Sequence, residues 1–92
     1  MNSSVEIQIP IAVDVRIEQE LFYVRLEDGR EIGVPYQWYW RLAQATNAER
    51  LNWRFISDGA GIHWEDIDED ISIEGILKGN KNPNPPKKAI QN

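Results

Sequence analysis

The sequence predicts a small α+β domain. It reads as an antiparallel β-meander of three strands, plus one or two short strands, packed on an aromatic-rich helix and a short C-terminal helix. Three observations predict this. Apolar and polar residues alternate in two successive runs between Val13 and Glu27, the mark of half-buried strands. Asp28-Gly29 follows the second run, and Asp-Gly is a strong hairpin signal. Pro35 then ends the alternation, and the stretch behind it holds two of the four tryptophans and two of the three tyrosines.

Residues 1–10 carry little pattern and end at Pro10, which predicts a flexible lead-in to a single domain over residues 11–79. In the first run Val13, Val15 and Ile17 share one face; in the second, Phe22, Val24 and Leu26 do. Setting Ile17 against Phe22, Val15 against Val24 and Val13 against Leu26 keeps all six on one side, around a turn at Gln19-Glu20. A three-residue loop at Asp28-Gly29-Arg30 sets Leu26 against Ile32 and Val24 against Val34, with Gly29 or Arg30 left-handed. A helix over about residues 36–45 would spread its apolar side chains across roughly 220°, wider than the stripe a surface helix buries. Part of that surface covers the sheet, and the rest awaits the C-terminal segment or a partner.

Thr46-Asn47-Ala48-Glu49 is a capping-box pattern and starts one more helical turn. Asn52 to Ile56 reads as a short strand, Ser57 to Gly61 as a loop, and Ile62-His63-Trp64 as a brief extended piece. Asp66 to Asp70 is expected to form an acidic turn around Ile67 that favours the positive end of the last helix. Ser72 caps that helix, which carries Ile73, Ile76 and Leu77 and stops at Gly79. Residues 80–92, rich in Asn, Pro and Lys, predict a disordered tail.

Charge is unevenly placed. The chain carries −5 overall, yet residues 78–92 hold four lysines and no acid, leaving residues 1–77 with fifteen acids and six arginines, a net of −9. Such a body repels nucleic-acid phosphates, so direct nucleic-acid binding is not expected, and it suits a small basic protein or plain solubility. With no cysteine, disulfides, thiol nucleophiles and thiolate metal sites are excluded. No apolar run reaches the roughly 20 residues of a membrane span. The N-terminus lacks the basic start and apolar core of a signal peptide, which predicts a cytoplasmic protein with no membrane contact.

No motif for chemistry survives its own requirements. Asp66-x-Asp68-x-Asp70 opens like a calcium loop, but that loop needs a glycine and a glutamate where this chain has Ile71 and Leu77. His63-x-Glu65 matches half of a zinc-deaminase signature whose other half is a cysteine pair. His63 is the only histidine, and no nucleophile neighbours it in sequence. No catalytic residue, metal or cofactor is therefore expected. The residues suited to binding are Tyr36, Trp38, Tyr39, Trp40 and Arg41 on the aromatic stretch, with Trp64, and Asp66, Asp68 and Asp70 for electrostatic steering. The competing reading makes the aromatics core, since a small domain needs large side chains to fill it.

Several short pieces occur in a collinear order that resembles a bacterial family, the domain of unknown function 2442. They are Leu26-Glu27-Asp28-Gly29-Arg30, Val34-Pro35-Tyr36, Arg41-Leu42, Ala45-Thr46, Glu49-Arg50, Asn52-Trp53, Gly61-Ile62-His63-Trp64, Asp68 to Ser72 and Gly75-Ile76-Leu77, ending at Gly79. The resemblance implies a small α+β domain with no established catalytic residues. It also implies a gene often set beside that of another small protein, an arrangement like a toxin–antitoxin pair. Some members of the family carry a helix-turn-helix behind this domain, and the tail here is too short and too Pro-rich for one.

Two functions follow as expectations. The first is a non-enzymatic interaction module, antitoxin-like, that neutralises or escorts a small basic protein from the adjacent gene. The alternative is a transcription-linked sensor acting with a DNA-binding partner. An enzyme built on His63 would need a pocket where His63 meets Asp66 or Asp68. Apolar surface left on the helix would equally suit a homo-oligomer.

Overall fold

The computed structural model describes residues 8–86, where the two alternating runs pair as β1 (Ala12–Ile17) and β2 (Leu21–Leu26). Ile17 faces Phe22 and Val15 faces Val24, as the pattern predicts. The third pair differs. A bulge between Ala12 and Asp14 sets Ala12 against Leu26 and turns Val13 outward, 48% exposed. The extra residue is tolerated because Glu27 N–H bonds Ile11 C=O at 2.9 Å beyond it, so the ladder resumes.

β3 (Glu31–Pro35) pairs with β2 two residues away from the expected register, with Val24 facing Ile32 and Phe22 facing Val34. A shift of two keeps every side chain on its face. The loop is still three residues, but it is Glu27-Asp28-Gly29. Leu26 N–H donates to Arg30 C=O at 2.8 Å and Gly29 N–H to Leu26 C=O at 2.9 Å. Gly29 takes the left-handed position at φ 96°, where a side chain would be strained.

The aromatic stretch is not one helix. It is a 3₁₀ turn (Tyr36–Trp38), an extended Tyr39 at φ −134° and ψ 111°, and the short α1 (Trp40–Ala43). The break has a backbone cause. Asn82 N–H donates to Trp38 C=O at 2.7 Å and Trp40 N–H donates to Asn82 C=O at 3.0 Å, a parallel bridge to Tyr39. Within the expected tail, then, residues 80–82 form a strap across the aromatic stretch. Residues 1–7 of the expected lead-in and 87–92 of the expected tail lie outside the described residues.

Next comes α2 (Asn47–Leu51), with both hydrogen bonds of the Thr46–Glu49 capping box formed. A second antiparallel sheet follows, in the order β4 (Trp53–Ile56), β5 (Gly61–Trp64), β6 (Glu69–Ser72), and then α3 (Ile73–Lys78). The expected meander is the first sheet, the two expected short strands are β4 and β5, and β6 joins them to make the second sheet of three. The acidic turn ends at Asp68, while Glu69 and Asp70 belong to β6. The acids do not cap α3. Ser72 Oγ does, accepting from Gly75 N–H at 2.9 Å, and Gly79 closes the helix at φ 77°.

The core lies between the sheets. Phe22, Val24, Leu26 and Val34 from the first meet Ile62, Trp64 and Ile71 from the second, with Tyr36, Leu42, Ile73 and Ile76 closing the sides. The Phe22 ring stacks on Tyr36 at 5.8 Å and meets the Trp64 ring edge-on at 5.4 Å. No helix among the described residues is long and apolar enough to cross a membrane.

Candidate interaction surface

The aromatic stretch divides between core and rim. Tyr36 is 2% exposed, and its Oη donates to Glu18 C=O at 2.7 Å. Burial pushes its phenol pKa up. Tyr39 is 6% exposed, with Oη donating to Asn80 C=O at 3.2 Å, and burial, aided by Glu69, pushes it up to about 12. Trp64 is fully buried, its Nε1–H donating to Arg50 C=O at 3.0 Å. These three rings are core and offer no anchor at the surface.

Trp38 and Trp40 keep part of their surface. Lys81 lies over the Trp38 ring at 4.7 Å, and the Arg41 guanidinium over the Trp40 ring at 4.6 Å. Cations on indole faces are mutually stabilising. The Trp40 Nε1–H is buried with no hydrogen-bond partner among the described residues. Trp40 and Arg41 line a shallow hollow of about 270 Å³ with Gln44, Glu49 and Ile67. Arg41 also reaches across to β6, its Nη1 3.4 Å from Glu69 Oε1. Glu69 is the one buried charged residue in the described chain, and burial raises its pKa while Arg41 opposes the rise.

The three steering aspartates separate. Asp66 accepts from Asn52 Nδ2–H at 3.0 Å. Asp68 sits exposed in the turn at φ 52°. Asp70 bonds His63 Nδ1, on the outer face of the second sheet. His63 Nε2 meets Glu65 Oε1 at 3.0 Å, and Arg54 approaches the same oxygen at 3.5 Å. The hydrogen bond from Asp70 is the main cause that raises the His63 pKa. Both ring nitrogens face carboxylates, and neither Asp66 nor Asp68 is bonded to the ring. Among the described residues no group of three or more His, Cys, Asp or Glu is placed to hold a metal ion.

Sequence reasoning passed over two organising residues. Arg50 stacks on Tyr36 at 3.9 Å and donates to the C=O groups of Leu42, Ala43 and Gln19 at 3.0, 3.3 and 3.4 Å. It thereby ties the end of α1 to the first hairpin. Glu69 looked like one acid of a solvated run. Its position between Ile67 and Ile71 in two-residue alternation, continued by Ile73, was the available signal.

A family described as "Protein of unknown function (DUF2442)" matches residues 12–82. A crystal structure of a protein of unknown function from Rhodospirillum rubrum is similar at 27% identity and a TM-score of 0.73, covering 79% of this chain and 90% of that one. A solution structure of an uncharacterized protein from Chromobacterium violaceum shares the fold at 20% identity and a TM-score of 0.69, covering 78% and 68%. No curated protein matches the chain.

Proposed function

The chain belongs to the DUF2442 family of proteins of unknown function, and from that premise we propose that it is a non-enzymatic interaction module that binds, and in an antitoxin-like manner neutralises or escorts, a small basic protein in the cytoplasm. The observation that carries this reading is the rim formed by Trp40 and Arg41. Tryptophan and arginine beside an apolar hollow are the residues that dominate binding hot spots. Here they border Ile67 and Glu49 instead of filling the core. The net charge of −9 on residues 1–77 supplies attraction for a basic partner.

The test is capture of the tagged chain from its native cells, followed by reconstitution of the complex from purified parts. A small basic protein in fixed stoichiometry is expected, with Trp40→Ala weakening the complex at least about tenfold while the variant stays folded. If Trp38→Ala and Trp40→Ala both do nothing except unfold the domain, the tryptophans are core and the anchor assignment fails. Recovery of the chain alone would remove the partner.

A further inference from the structure

Ile73 donates its N–H to Ala60 C=O at 2.9 Å, one pair beyond the Gly61–Ser72 end of the β5–β6 ladder. Bonded and non-bonded pairs alternate along an antiparallel ladder. The bonded pairs are therefore Ala60–Ile73, Ile62–Ile71 and Trp64–Glu69. By the same alternation the N–H and C=O of Asp70 and the N–H of Ser72 turn away from β5, along the outer edge of the sheet, while Ser72 C=O, at the N-cap of α3, accepts the first bond of that helix. Among the described residues no turn, loop or cap backbone group bonds these three outward groups.

Hollows open on both sides of this edge. One, of about 470 Å³, lies over the outer face against Ile9, Pro10, Ile56 and Gly61. The other, of about 240 Å³, lies between the edge and the strap, against Tyr39, Gly75, Asn80 and Asn82. Ile71 and Ser72 border both. The edges of the first sheet are blunted, β1 by its bulge and β3 by ending in Pro35. β6 has neither device.

Resting on the interaction reading above, we propose that the free edge of β6 takes up an extended basic segment of the partner as a fourth strand of the second sheet. Backbone pairing with Asp70 and Ser72 would hold it, and its alternate side chains would enter the two hollows, an apolar one beside Ile56 and a polar one beside Tyr39 and Asn80. Charge selects the occupant. Residues 65–70 contain Glu65, Asp66, Asp68, Glu69 and Asp70. A second copy of the chain laid on this edge would set that run against itself, whereas lysines or arginines on an added strand complement it.

The experiment titrates the isotope-labelled chain with a short blocked peptide alternating valine and lysine, followed by amide resonances and hydrogen exchange. The Asp70 and Ser72 amides should shift and exchange at least about tenfold more slowly, the size expected for gaining one hydrogen bond, while the Ile71 amide, already bonded to β5, should not change. Asp70→Pro removes one outward N–H without touching the β5 ladder. It should bind the peptide about fivefold more weakly than Asp70→Ala, which loses the same carboxylate and keeps the N–H. Unchanged Asp70 and Ser72 amides overturn the proposal even if Asp70→Pro fails to fold, as does equal binding by the two variants. Shifts confined to the Trp38 and Trp40 indoles would place docking on the aromatic rim, overturning the edge but not the interaction reading. Concentration-dependent shifts of the same amides without peptide would make the occupant a second copy, and would also overturn it. Failure of the interaction reading itself is seen separately, when capture returns no partner.

Discussion

At the scale of single residues the informative groups are those whose charge the fold has had to accommodate. His63 is 12% exposed on its side chain and held between two carboxylates, and Asp70 chiefly raises its pKa above the ordinary 6.5. A histidine whose pKa rises on folding stabilises the fold in full below its unfolded value, and that contribution is lost as pH rises through the folded value. The only histidine in the chain gives an unambiguous ring titration by NMR. Its midpoint should lie above 6.5 and fall in Asp70→Asn, and the variant's stability should vary less across the same window. A midpoint at or below 6.5 would mean that the ion pairs do not form in solution. Glu69 has the same linkage sign, because its pKa is raised too, but here the fold disfavours the charged form instead of favouring it. Burial raises a carboxyl pKa, so ionised Glu69 weighs against the fold at neutral pH unless Arg41 compensates. Arg41→Gln should therefore cost about 1–2 kcal/mol at neutral pH, a figure already discounted for the exposure of the guanidinium. The loss should shrink as pH falls and Glu69 becomes protonated. Adding Glu69→Gln should recover most of it in a double-variant cycle of denaturation midpoints, and no recovery would show that Arg41 acts by packing alone.

At the scale of elements, local signals were readable and distant partners were not. Thr46 and Glu49 specify their cap within four residues of sequence, and both bonds form, at 3.1 and 2.8 Å. Thr46→Ala should accordingly lower stability by about 1 kcal/mol in chemical denaturation, and no change would mean that α2 contributes little to the cooperative unit. The β1–β2 faces were legible because strand alternation has a period of two. The β2–β3 register slipped by two because parity cannot tell one even offset from another, and the position of Gly29 in the loop decides it. The helix expected over residues 36–45 failed at Tyr39. Its pattern was helical enough, but Asn82 claims the Trp38 C=O and Trp40 N–H. β6 was hidden because a four-residue strand bearing two acids reads as solvated turn, and the buried place of Glu69 depends on Arg41, far away in sequence. The binding residues were legible as types but not as places. Of the aromatic candidates only Trp38 and Trp40 stay at the rim, because hydrophobic burial fixes how many rings must enter the core without saying which.

At the scale of the whole molecule, the strap decides how the second half of the chain holds the first. Residues 80–82 contribute Asn82 N–H to Trp38 C=O at 2.7 Å, Trp40 N–H to Asn82 C=O at 3.0 Å, Tyr39 Oη to Asn80 C=O at 3.2 Å, and Lys81 over the Trp38 ring at 4.7 Å. These contacts join the connection between the two sheets to the end of α3. A chain ending at Gly79 loses them all, whereas one ending at Pro86 keeps them and serves as the reference. Each hydrogen bond contributes about 1 kcal/mol net. Water can replace some of the bonds on this half-open surface, so the shorter chain should be less stable by about 1–3 kcal/mol. Its Trp38 emission should also shift to the red as the indole meets solvent. The stability should fall without loss of the core, since the edge-on contact of Phe22 with Trp64, both fully buried, does not involve the strap. If the two truncations unfold at the same denaturant concentration, the strap is a passive lid, and the break at Tyr39 must be set by the packing of Tyr39 itself. If the shorter chain does not fold at all, residues 80–82 belong to the cooperative core of the domain. The aromatic rim beside the strap would then be held rigid before any partner arrives, which lowers the entropy cost of binding there.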